Sequence, residues 1–281
     1  MTHRWAGREL RRTAQTGQFR STSPVIGRWL PPPYGAAMAT EVWPDLAALP
    51  GVGHAVEGAR SAITALRWHP ANRKRRSGIA AAAMVRAARA SAALDGAPLE
   101  LDADSTAVAD PVLAGALRVA TAIGSLALIW PRSPMQVLAR LHTLAAADLA
   151  PAQELGRPQA GGVNLGVRLS GFSEMVTAAP WPAPVRVAVV HGELLALHLF
   201  GSADGIVARA AARLTMISSG FDPDGLGVPE VAHLRSGVKY PELLAGFASG
   251  SSAGVADWIV EVCRCLSMGA REGISIADAA V

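Results

Sequence analysis

Apolar residues recur along this chain at spacings of three and four with polar positions between them, the period of amphipathic α-helices. Val56, Ala59, Ile63 and Leu66 form one such stripe, and Pro70 closes it, which predicts a helix from Val56 to Trp68. Residues 72–76 follow as a basic exposed segment. An alanine-rich helix is predicted over 80–94, with Gly96 as its left-handed terminator. Asp110-Pro111 combines a capping side chain with a proline in the first turn, opening a helix that runs to about Trp130. Ser133-Pro134 repeats that signal for a helix through Ala147. Further helices are predicted over Pro182–Leu197, Gly205–Ser218, 241–249 and 253–269, with a turn at Phe221-Asp222-Pro223. The Gly- and Pro-rich stretch 151–180 breaks the period, and short strands are expected at Gly162–Leu169. The predicted fold is all-α, with seven or more helices, a small hairpin and no repeat of the solenoid kind.

Composition supports that reading. Hydrophobic residues make up 51% of the 281 while aromatics stay at 5%, which suits closely packed helices around one core. The longest apolar run, Val119 to Trp130, contains Thr121, Gly124 and Ser125 and falls short of the roughly 20 residues that span a bilayer. No membrane partner is expected. The formal charge of +4 is unevenly placed: six arginines against Glu9 put +5 in residues 1–37, so the remainder carries −1. That extension, with Pro31-Pro32-Pro33 and no hydrophobic period, is expected to be disordered. It lacks a secretory h-region, and Met38 is a plausible start of the folded domain, 38–281. Cys263 and Cys265, two apart on a predicted helix, suit neither a disulfide nor a zinc site, so a reducing cytoplasm is expected.

One segment carries candidate chemistry. His198-Leu199-Phe200-Gly201-Ser202-Ala203-Asp204-Gly205-Ile206-Val207-Ala208-Arg209 resembles H-P-F-x-x-G-N-G-R-x-x-R, the signature of Fic proteins, which move a nucleotide monophosphate from ATP onto a protein hydroxyl. His198, Phe200, Gly205 and Arg209 match; Leu199, Ala203, Asp204 and Ile206 depart from it. Other positions fit the same family in order and spacing: His191 seven residues before His198, Tyr240-Pro241-Glu242-Leu243, and Trp258 on the last helix. Upstream, Ser91-Ala92-Ala93-Leu94-Asp95-Gly96 is similar to the [ST]-x-x-x-E-[GN] helix of an autoinhibited subgroup, with Asp for Glu. The resemblance covers roughly residues 54–270. It implies a helical Fic-like domain, an inhibitory-type helix near 80–95, and a β-hairpin flap over 151–180 that clamps a protein target as an added strand.

The resemblance also assigns roles. His198 would be the general base on the incoming hydroxyl, and Phe200 the anchor of the loop. The first turn of the helix at Gly205 would form an anion site for nucleotide phosphates, together with Ser202, Ala203, Asp204 and Arg209. The departures cut into this. Ile206 stands where an arginine neutralises phosphates, a loss of about 1.5–3 kcal/mol. Ser202 stands where an acid often holds Mg²⁺, leaving Asp204 as the candidate metal ligand. Ala203 adds a Cβ where backbone must approach the ligand. Asp95 and Arg209 could form the inhibitory pair, now serving to hold the fold.

Blander readings stand beside these. His191 and His198, at i and i+7, are expected to face the core rather than bind a metal, and His142 is expected to be structural. Arg73-Lys74-Arg75-Arg76 could touch nucleic acid, but no recognised nucleic-acid motif accompanies it, and a solvated helix terminus is the expectation. Gly51-Val52-Gly53 lacks the strand and third glycine of a dinucleotide fingerprint. Two classes remain open: a weak or altered nucleotidyl transferase using ATP and Mg²⁺, or an inactive Fic-fold module binding a protein or a small anion. Homodimerisation is left open as well.

Overall fold

The computed structural model describes residues 45–98, 110–159 and 165–280. The extension 1–37 and its expected disorder lie outside them. Ten helices follow in order among the described residues: α1 Val52–Arg67, α2 Asn72–Leu94, α3 Pro111–Ala127, α4 Pro134–Ala145, α5 Leu165–Ala178, α6 Ala183–Leu197, α7 Asp204–Ser218, α8 Pro229–Ser236, α9 Lys239–Ala248 and α10 Ser252–Ala279. A 3-10 turn, Leu46–Ala48, precedes them.

Local chemistry sets several of these boundaries. The Asp110 carboxylate accepts from the Leu113 N–H (2.8 Å) ahead of Pro111 and starts α3. Ser251 does the same for Gly254 at the start of α10 (3.1 Å). At the end of α2, Ala97 N–H reaches Ala92 C=O and Gly96 N–H reaches Ala93 C=O, the paired bonds of a Schellman cap around left-handed Gly96.

Two helices are buried almost all round. α6 hides every residue from Val187 to Leu195, and α7 every residue from Ile206 to Met216. They pack against each other as a central hairpin, with α3 and α4 against α7 and α10 against α6. α1 lies along α10 through the predicted stripe Val56, Ala59, Ile63 and Leu66. Two tryptophans tie the layers together: Trp130 donates to Thr215 Oγ1 (3.0 Å) and Trp258 to the Ala188 carbonyl (2.8 Å).

The hairpin expectation needs correction. No strand occurs among the described residues, and Leu165–Leu169, expected as strand, belongs to α5. The helical spacing of Phe172, Met175, Val176 and Ala179 puts those side chains in the core, and that burial decides the segment. Residues 160–164 lie outside the described part. The basic run Arg73–Arg76 forms the exposed start of α2, the solvated helix terminus that was expected. α8 went unpredicted, although Pro229 at its first turn and Gly237 (φ 54°) after its end are the usual punctuation.

Candidate functional site

Residues 198–203 connect α6 to α7. His198 (φ 44°) and Ala203 (φ 51°) bracket this loop in the left-handed region, and they are the non-glycine residues with positive φ among those described. Such a conformation costs an L-residue roughly 1–2 kcal/mol, and strain of this kind gathers at ligand loops.

Buried contacts hold the loop. Phe200 stacks on the His142 ring, centroids 4.2 Å apart and nearly parallel. His142 Nδ1 accepts from the Gly156 N–H (2.9 Å), so its other nitrogen carries the proton and donates to Ser202 Oγ (3.0 Å). Burial lowers the His142 pKa and keeps the ring neutral. Gln159 N–H donates to the Leu199 carbonyl (3.0 Å). Asp204 turns back into the loop, accepting from the N–H groups of Phe200 (2.9 Å) and Gly201 (2.8 Å). Burial raises its pKa, while these two donors favour the charged form.

At the start of α7, where an anion site was expected, the protein places its own carboxylate. One Asp95 oxygen accepts from the Ile206 N–H (3.0 Å) and the other from Arg209 Nη2 (2.6 Å). Arg209 also donates through Nε to Ser91 Oγ (2.8 Å) and through Nη2 to the Ser91 carbonyl (2.9 Å). The carboxylate thus sits at the positive end of α7, where a phosphate would be favoured. Gly205 makes the approach feasible: a Cβ there would collide with both Asp95 oxygens. Burial opposes the charge of Arg209, but Asp95 and Tyr240 outweigh it, and the guanidinium stays protonated.

Behind the Asp95–Arg209 pair lies a buried aromatic cluster. Tyr240 Oη and His191 Nε2 share a hydrogen bond (2.8 Å), and the His191 ring packs on His233 and Trp258. Burial holds His191 well below its usual range and His233 at about 4, so both rings are neutral. One turn along α7 from Arg209, Arg213 forms a bidentate buried pair with Glu230 (3.0 and 2.7 Å) and also donates to the Gly227 carbonyl (3.0 Å). Sequence reasoning missed this pair, although a second arginine four residues on in an apolar helix signals a buried partner.

The predicted residues separate into groups. Ser91, Asp95, Gly205 and Arg209 converge, and Gly96 ends the helix that delivers Asp95. Ser202 faces His142 on the other side of the loop, Ala203 makes the turn, and Asp204 is bound to backbone. Ile206 is in the core, 2% exposed. His191 faces the core as expected, whereas His198 does not. It caps α6 in the left-handed conformation, which carries its side chain off the buried face into solvent. No group of three or more His, Cys, Asp or Glu among the described residues could hold a metal ion. Cys263 and Cys265 are free and buried, each thiol pushed up to about 12 by burial. No described helix is long and apolar enough to cross a membrane.

Comparison with known proteins identifies the fold. No family model and no curated protein sequence matches the chain. Solved structures do. A Fic family protein from Desulfovibrio desulfuricans G20 superposes with a TM-score of 0.66 at 17% identity, covering 87% of this chain and 76% of that one. Fic-1 (residues 134–508) from C. elegans gives 0.62 at 16% identity, covering 83% and 76%. A Fic domain containing signaling protein from Bacteroides thetaiotaomicron VPI-5482 gives 0.59 at 12% identity, covering 80% and 98%. The chain has the Fic fold.

Proposed function

We propose that this is a Fic-fold protein whose nucleotide site is closed from within by Asp95, and which has given up AMP transfer for a non-catalytic role. The observation that carries this reading is the Asp95 carboxylate bound to Ile206 N–H and Arg209 at the start of α7. It supplies the negative charge that a phosphate would bring, so the helix end needs no ligand.

The residues present do not fit Mg²⁺ and ATP. Removing Asp95 would still leave an aliphatic side chain at 206, buried in the core, where the motif calls for a phosphate-binding arginine. The Asp204 carboxylate is engaged by two backbone donors and would have to abandon the loop to reach a metal. Ser202 shares a hydrogen bond with His142 and is a weak ligand for a hard dication. We therefore derive no catalytic step through a nucleotide. As a module the protein would act by contact, through the exposed rim around His198 and Gly201, with a polypeptide as the partner.

A second reading has one observation in its favour. His198 is exposed at the rim in a strained backbone conformation, where a general base for a protein hydroxyl would stand in an active transferase. Incubation with α-labelled ATP and Mg²⁺ or Mn²⁺ separates the two. The proposed function predicts no label on the wild type or on Asp95→Gly, with itself or a lysate as acceptor. Transfer that appears in Asp95→Gly and vanishes when His198→Ala is added would establish the transferase instead.

A further inference from the structure

The basic run Arg73-Lys74-Arg75-Arg76 does not form a stripe along α2. At Arg75 the backbone leaves helical values (φ −124°, ψ 16°), and its guanidinium donates to the Ala280 carbonyl beyond the end of α10. Arg73 and Arg76, on either side of that break, both line a surface cavity of about 120 Å³. The turn at Pro70 brings Arg67, Trp68 and His69 from the end of α1 to the same cavity, and Asp224 completes it.

Charge in this cavity is not balanced. Asp224 pairs with Arg76 (3.4 Å), and His69 Nε2 lies 3.1 Å from Asp278. Neither Arg67 nor Arg73 has a carboxylate within ion-pair distance among the described residues. His69 also buries an Nδ1 with no hydrogen-bond partner. Beside these cations Trp68 is 77% exposed, the opposite of the burial its indole ring favours.

We propose that this cavity is a second ligand site and that it binds a nucleoside phosphate. Guanidinium groups bind phosphate oxygens in pairs of hydrogen bonds, and Arg67 and Arg73 are free to do so. Arg76 can join by sharing or releasing Asp224. The exposed indole offers a flat platform on which a base stacks. With Arg75 withdrawn to α10, the cations meet in one concavity instead of tracking a groove, which selects a single nucleotide over a nucleic-acid strand. The site is separate from the α6–α7 loop. Asp224 follows the C-terminal end of α7, and that helix of 15 residues is about 22 Å long.

The test is calorimetric titration of the full chain with ADP, inorganic tripolyphosphate and a single-stranded oligonucleotide. Wild type, Arg73→Gln/Arg76→Gln, Trp68→Ala and Asp95→Gly are compared, with circular dichroism confirming that each is folded. Wild type should bind ADP, and the arginine double variant should bind it about tenfold or more weakly. Trp68→Ala should weaken ADP about fivefold or more while leaving tripolyphosphate unchanged. Asp95→Gly should bind ADP as wild type does. The inference is overturned if wild type does not bind ADP, or if binding survives the double substitution unchanged. ADP binding confined to Asp95→Gly would place the ligand at the α7 loop and overturn it too. Equal affinity for ADP and tripolyphosphate, insensitive to Trp68, would exclude a base on the indole. Binding of the oligonucleotide alone would mark a nucleic-acid surface instead.

Discussion

At the scale of single residues, the Asp95 carboxylate joins the end of α2 to the start of α7 and leaves Arg209, 4% exposed, with a compensated charge. Removing one partner strands the other, which costs about 3–5 kcal/mol for a buried pair. We expect Asp95→Ala and Arg209→Met each to destabilise the fold substantially, and the double variant to cost clearly less than their sum. Urea unfolding of the four proteins gives the coupling; strictly additive losses would show that the pair contributes nothing of its own. Ala203 offers a change in the other direction. Its φ of 51° suits glycine, so Ala203→Gly should stabilise by about 1 kcal/mol, since relief of left-handed strain exceeds the added freedom of the unfolded chain. A loss of stability in the same assay would contradict strain at this turn. The convergence of Ser91, Asp95, Gly205 and Arg209 was legible because each occupies a motif position. The exposure of His198 was not, because it depends on a left-handed cap that no residue type at that position announces.

Among elements, close approach matters more than bulk. Gly269 on α10 faces the chain entering α8, where an added Cβ would lie 2.5 Å from Pro229 N and 2.7 Å from its Cα. Backbone cannot yield as a flexible side chain does. Gly269→Ala should therefore cost about 1–3 kcal/mol by overpacking, read as a lower urea midpoint; an unchanged midpoint would mean that α8 is free to shift. The same contact shows what the sequence could and could not convey. The last helix was expected over 253–269, whereas α10 runs on to Ala279. The part of the expected strands at 165–169 is helix instead, because the spacing of Phe172, Met175 and Val176 buries those side chains in the core. The caps at Asp110 and Gly96, by contrast, are local chemistry and were read correctly.

At the scale of the whole molecule, the buried histidines His142, His191 and His233 sit where protons are unwelcome. His233 titrates near 4 when folded, against about 6.5 in the unfolded chain, because burial disfavours its charge. Between those values the unfolded chain binds a proton that the folded one refuses, so stability falls as pH drops from about 6.5 towards 4. His191, held well below its usual range by burial, adds the same sign. His233 alone should remove about 1 kcal/mol between pH 6.5 and 5.5, and His191 adds to that loss. Buried Glu193 and Asp222, whose pKa values burial raises, act in the opposite sense from the carboxylate range upward. Comparing urea unfolding of wild type with His191→Gln/His233→Gln isolates the histidines: the variant should lose most of the slope, and an unaltered slope would assign it elsewhere.

One measurement bears most directly on the proposal that Asp95 closes a nucleotide site. Nitrogen-15 resonances of the Gly205 and Ile206 amides and of Arg209 Nε should be followed as Mg²⁺ and ATP are added to wild type and to Asp95→Gly. These nuclei report the start of α7 alone, whatever binds near Arg73. The account predicts that none of the three shifts in either protein. A saturable shift of all three in Asp95→Gly would show that a nucleotide takes the carboxylate's place and would contradict a site that has lost its ligand.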